Sequence, residues 1–111
     1  MNAAYIKIGL GGCDMGSSYF LPRLVGSSLA SEMILTGRFI AADRALSSGF
    51  VSGVVEPEAL DEAAQEIVAD MLLTAPMGLR LSKDALNRNI DAPGFEAALA
   101  IEDRQQVMLA Q

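Results

Sequence analysis

Apolar residues recur at spacings of three and four through most of the chain. The clearest run lies between Glu58 and Leu73, where Leu60, Ala64, Ile67 and Met71 are interleaved with Asp61, Glu62, Glu66 and Asp70. This pattern predicts an amphipathic helix with an acidic, solvated face. Pro57 suits its first turn and Ala75-Pro76 ends it. A further helix is predicted from Met77 to Ile90, with Leu79, Leu86 and Ile90 on its apolar side. After the turn Asp91-Ala92-Pro93-Gly94, the last predicted helix runs from Phe95 to Ala110. Its expected buried face is Ala98, Ile101 and Met108, while Glu102, Asp103, Arg104 and Gln105 cross it with polar groups.

The first half of the chain is more broken. Ala4 to Ile8 carries Tyr5, Ile6 and Ile8 and reads as a short strand that stops at Gly9. Gly9, Gly11, Gly12 and Gly16 then make a loop in which the backbone can approach another group closely. A helix is predicted from Ser17, with Tyr19, Phe20, Pro22 and Leu24, up to Gly26. Ser27 or Ser28 is placed to cap a second helix, which carries Leu29, Met33 and Ile34 and stops at Thr36-Gly37. Arg38-Phe39-Ile40 is brief and extended, Ala42 to Ser48 is helical, and Phe50 to Val55 reads as a second strand. The expected fold is therefore mainly α with two short strands, divided into 1–56 and a helical region 57–111. Two isolated strands form little sheet by themselves, so a partner sheet is expected outside this sequence or in another subunit.

Composition narrows the function classes. Of 111 residues, 51% are hydrophobic and 20% charged, which favours a globular chain over a disordered one. The apolar residues fall in short blocks, and neither a membrane span nor a secretory leader is expected; a cytoplasmic protein without a membrane partner is. A net charge of −6 with eight scattered basic residues argues against nucleic acid as a partner. The sequence has no histidine and one cysteine, Cys13. Ser-His-Asp and Cys-His catalysis, an intrachain disulfide and a transition-metal site are accordingly not expected.

Single residues invite readings that their surroundings weaken. Without a histidine or neighbouring cation, nothing lowers the pKa of a cysteine at position 13, so a loop thiol is favoured over a nucleophile. The glycine loop matches neither phosphate-binding pattern, GxxxxGK[ST] or GxGxxG with helix spacing, and a tight turn is the better reading. Arg23 could hold a phosphate, but a structural contact to a carbonyl or carboxylate is the commoner role. Lys83, Arg88 and the acidic stripe Asp61, Glu62, Glu66 and Asp70 read as solvated helix faces.

Six stretches taken in order carry a resemblance. They are Ile8 to Gly16, Leu21-Pro22-Arg23-Leu24-Val25-Gly26, Leu35-Thr36-Gly37-Arg38, Ala41 to Val55, Ala75-Pro76 with Leu81 to Asn87, and Glu96 to Glu102. In this order and spacing the chain resembles the C-terminal portion of the enoyl-CoA hydratase/isomerase (crotonase) superfamily. The resemblance implies the end of an α/β spiral core (the ClpP/crotonase-like fold) followed by trimerisation helices. It also implies coenzyme A thioesters as substrates in fatty-acid metabolism, no separate cofactor, and homo-oligomeric assembly.

The same resemblance locates an acyl pocket around Tyr5, Gly11, Gly12 and Met15, and it indicates what this sequence lacks. The two backbone N–H groups that hold the thioester oxygen lie in loops corresponding to sequence upstream of Met1, with much of the coenzyme A site. Preorganised donors of this kind usually supply the largest catalytic contribution. Hydratases of the family use two glutamates. One belongs to that upstream part, and the other would stand at Tyr5, four residues before Gly9. A phenol, with an ordinary pKa of about 10, does not replace a carboxylate as a general base near neutral pH. Asp14 lies close to an acidic residue of the dienoyl-CoA isomerase branch, in a loop one residue longer. It is the candidate to move a proton at an acyl carbon, or else it caps the helix that begins near Ser17. The expectation is a hydratase or isomerase fragment that is inactive by itself and binds acyl-CoA only when completed upstream. A non-catalytic helical oligomerisation or interaction module, or a gene remnant, is the alternative.

Overall fold

A computed structural model describes residues 1–110. Gln111, the last residue of the region 57–111, lies outside the described residues. Among the described residues, six α-helices make up most of the structure: α1 (Ser17–Val25), α2 (Ser27–Thr36), α3 (Ala42–Ser47), α4 (Leu60–Leu72), α5 (Pro76–Asn89) and α6 (Phe95–Leu109). The chain divides into two compact units, Met1–Glu56 and a second from Pro57 onward.

Neither expected strand forms. Ala4–Ile8 is a 3-10 turn closed by Gly9, whose N–H donates to the Tyr5 carbonyl. Phe50 and Val51 both donate their backbone N–H to the Ala45 carbonyl at 2.9 and 3.3 Å, folding the start of the second segment back onto α3. The physical reason is the same in both places. A strand needs a neighbour for its backbone donors and acceptors; where none is present no ladder forms, and Ala4–Ile8 and the start of the second segment bond locally instead. The nearest approach to a ladder is one reciprocal pair, in which the Ile40 N–H donates to the Met1 carbonyl at 2.9 Å and the Met1 ammonium donates to the Ile40 carbonyl at 3.3 Å.

In the first unit, α1 packs on α2 and α2 packs on the 3-10 turn. Leu21, Leu29, Ala30, Met33, Ile34, Ile40 and Ala45 form the core, with Val25, Phe50 and Val51 against it. The expected face of α2 is the buried one: Met33 is 2% exposed, while Leu35 points away. No side chain caps the N-terminus of α2. Gly26 takes the cap position, with Ser27 already the first helical residue, so neither serine acts as the cap. The other five helices also start without a side-chain cap bond. For α1, α2, α5 and α6, packing between helices rather than an N-terminal side-chain cap supports the placement.

α2 and α3 are tied by a fork-to-fork ion pair. Arg44 donates through Nη1 and Nη2 to the two Glu32 carboxylate oxygens at 2.9 and 2.8 Å. The hydrogen bond from Arg44 is the main cause that lowers the Glu32 pKa from its ordinary value of 4.5. A carboxyl with a lowered folded-state pKa stabilises the fold above that ordinary value, and the contribution is lost as pH falls through the folded-state pKa. Thermal unfolding of the first unit followed from pH 6 down to pH 3 is thus expected to show a steeper acid loss for the native chain than for Glu32→Gln. Superimposable profiles would mean that the pair contributes nothing. The effect is small, since both side chains face solvent.

In the second unit, α5 packs on α6, and α4 packs on the short 3-10 turn Pro57–Ala59 that leads into it. The expected apolar face of α4 is uncovered: Ile67 is 54% exposed, and Leu60, Ala64 and Met71 are exposed with it. On α5 the face turned inward is Leu81, Asp84, Ala85 and Asn89, whereas Leu86 is 76% exposed and Leu79 and Ile90 are also exposed. Ala98 and Ile101 of α6 are half-buried as expected, but Met108 is exposed. Gln105, expected among the polar groups, is the buried residue, at 5% exposure. Its amide Nε2 donates to Asp84 Oδ2 at 2.9 Å, and Arg88 Nε donates to the same carboxylate at 2.8 Å. A hydrogen-bonded glutamine can occupy a helix interface because its donor is satisfied there.

Candidate functional site

The glycine loop joins the 3-10 turn to α1 and is shaped by three local constraints. At the first, the Leu10 N–H donates to the Tyr5 carbonyl at 3.2 Å, which draws the start of the loop back over the half-buried Tyr5. At the second, Gly12 lies against the last turn of α2. A Cβ at that position would stand 2.6 Å from the Ile34 carbonyl oxygen and 2.8 Å from Ile34 Cγ2, so only glycine allows the approach. The third is the turn into α1, where Gly16 has φ +85° and the non-glycine Met15 has φ +51°. A left-handed conformation at a non-glycine residue is uncommon and costs on the order of 1 kcal/mol.

Asp14 holds that turn. Its Oδ1 accepts the Met15 N–H at 2.8 Å, its backbone N–H donates to Ser17 Oγ at 3.1 Å, and its carbonyl accepts the Ser17 N–H at 2.9 Å. The carboxylate makes no side-chain cap bond to α1, whose cap position is Gly16. Asp14 thus braces the turn that leads into the helix, and its second carboxylate oxygen takes no part in these bonds. The side chain is exposed, as are Gly11, Cys13 and Met15, the last at 88%. Gly11, Gly12, Asp14 and Met15 are brought together on one loop, and Tyr5 lies on the turn immediately before it.

Arg23, on the helix that follows the loop, is engaged within that helix. Arg23 lies with its guanidinium carbon 3.6 Å from the centre of the Tyr19 ring and donates through Nη1 to the Tyr19 carbonyl at 2.8 Å. It is held by its own helix, in the structural role that sequence favours. Lys83 is exposed on α5, Arg88 is paired with Asp84, and Asp61, Glu62, Glu66 and Asp70 are all exposed on α4. Two features were not legible in advance. The Glu32–Arg44 pair and the Asp84–Gln105 contact join residues 12 and 21 positions apart, beyond the reach of helical spacing. Among the described residues, no helix is long and apolar enough to cross a membrane.

Comparison with known proteins places this arrangement. The family model described as enoyl-CoA hydratase/isomerase matches residues 2–111. A protein named as a probable enoyl-CoA hydratase of Mycobacterium tuberculosis is 39% identical over 107 residues, which is 96% of this chain and 38% of that protein. The short-chain-enoyl-CoA hydratase of Clostridium acetobutylicum is 40% identical over 97 residues, covering 86% of this chain and 37% of the relative. Among solved structures, a probable enoyl-CoA hydratase/isomerase from Mycobacterium abscessus superposes with a TM-score of 0.93 at 36% identity, over 96% of this chain and 41% of that one. A monofunctional enoyl-CoA isomerase from Mycobacterium smegmatis superposes with a TM-score of 0.75 at 36% identity, over 82% of this chain and 44% of its own. The chain therefore spans about two fifths of the length of the relatives it matches. With a family model covering residues 2–111 and a helical arrangement shared with solved members, the chain belongs to the enoyl-CoA hydratase/isomerase family.

Proposed function

We propose that this chain is the C-terminal part of an acyl-CoA hydratase or double-bond isomerase of fatty-acid metabolism, and that these 111 residues turn over no substrate alone. The observation that carries the reading is the continuous family match from residue 2 across only about two fifths of the relatives' length. In the completed site, Gly11, Gly12, Met15 and Tyr5 line the acyl pocket and the free oxygen of Asp14 is the proton-transfer group. The loop geometry supports this: Asp14 uses one oxygen to fix its own turn and keeps the other available, on a loop pinned to α2 at Gly12. The substrate is a coenzyme A thioester and no further cofactor takes part. The purified 111-residue chain mixed with crotonyl-CoA is expected to give no loss of enoyl absorbance above the uncatalysed rate. Measurable turnover would overturn the claim of dependence on the rest of the site.

A second reading is favoured by one specific observation, the uncovered apolar face of α4. Leu60, Ile67 and Met71 of that face are all exposed. An apolar helix face left exposed in this way favours association. We infer that the chain forms homo-oligomers through it, as part of an assembled enzyme or as an interaction module in its own right. Sedimentation velocity is expected to show species larger than 11.7 kDa whose proportion rises with concentration. A single monomeric boundary at high concentration is the result that would remove this reading.

A further inference from the structure

We draw no further inference here: the strongest candidate, the groove between α5 and α6 lined by Leu81, Ala85, Leu86 and Leu109, carries nothing because nothing in the structure shows what covers it.

Discussion

In a chimera carrying residues 2–110 of this chain in place of the corresponding segment of the Clostridium acetobutylicum hydratase, Tyr5→Glu is expected to raise hydration of a short-chain enoyl-CoA by about 10²–10⁴-fold over the unsubstituted chimera. The relative's own sequence fills the region upstream of the match, where the family resemblance puts the first glutamate and the oxyanion-holding loops. The only change is then the presence of a carboxylate at the position where the resemblance puts the second general base. That magnitude is what a positioned acid or base ordinarily contributes. Tyr5 sits on the 3-10 turn, and its carbonyl rather than its phenol organises the local backbone by accepting from Gly9 and Leu10. Exchange of the side chain therefore leaves those bonds in place. Tyr5→Gln is the control, because it offers a similar volume without a base and is expected to gain nothing. A Tyr5→Glu chimera that folds and binds acyl-CoA but gains no hydration would mean that position 5 does not face the reacting carbon.

Met33→Ala is expected to cost the first unit about 2–5 kcal/mol, enough to leave much of it unfolded at room temperature. Met33 is 2% exposed and stands at the centre of a core of only seven buried residues. Small cores hold little stability in reserve. Residues 29–34 of α2 provide four of those seven, and the helix has no side-chain cap to hold it if its packing is loosened. Circular dichroism under a urea gradient measures the effect. The Met33→Leu variant, which nearly conserves volume, is expected to stay within about 1.5 kcal/mol of the native chain. Equal midpoints for Met33→Ala and the native protein would show that the site repacks and that the core is not centred on α2.

Removing the core would also reach the candidate site, since part of the loop's support comes from α2. Gly12 rests on the carbonyl of Ile34, one residue after Met33, and the Asp14 turn leads directly into α1, which packs on α2. A shift in the last turn of α2 is therefore transmitted to the residues proposed to line the acyl pocket.

The helices and their order were legible in the residues themselves. Apolar spacing with glycine and proline punctuation marks α1 to α6 within a few positions, because these are local preferences of the backbone. The ordered motifs from Ile8 to Glu102 likewise carried the family resemblance that the comparison bears out. The tertiary structure decided which faces are covered. Ile67 and Leu86 lie on apolar stripes and are exposed, while Gln105 is buried, because burial depends on what packs opposite and periodicity contains no information about that. It also decided that Ala4–Ile8 and Phe50–Val55 are not strands, since their β-favouring side chains act only when a neighbouring strand takes up their backbone bonds. The glycines of the loop could be counted from the sequence, but only the contact with Ile34 shows that Gly12 is the one whose missing side chain the fold requires.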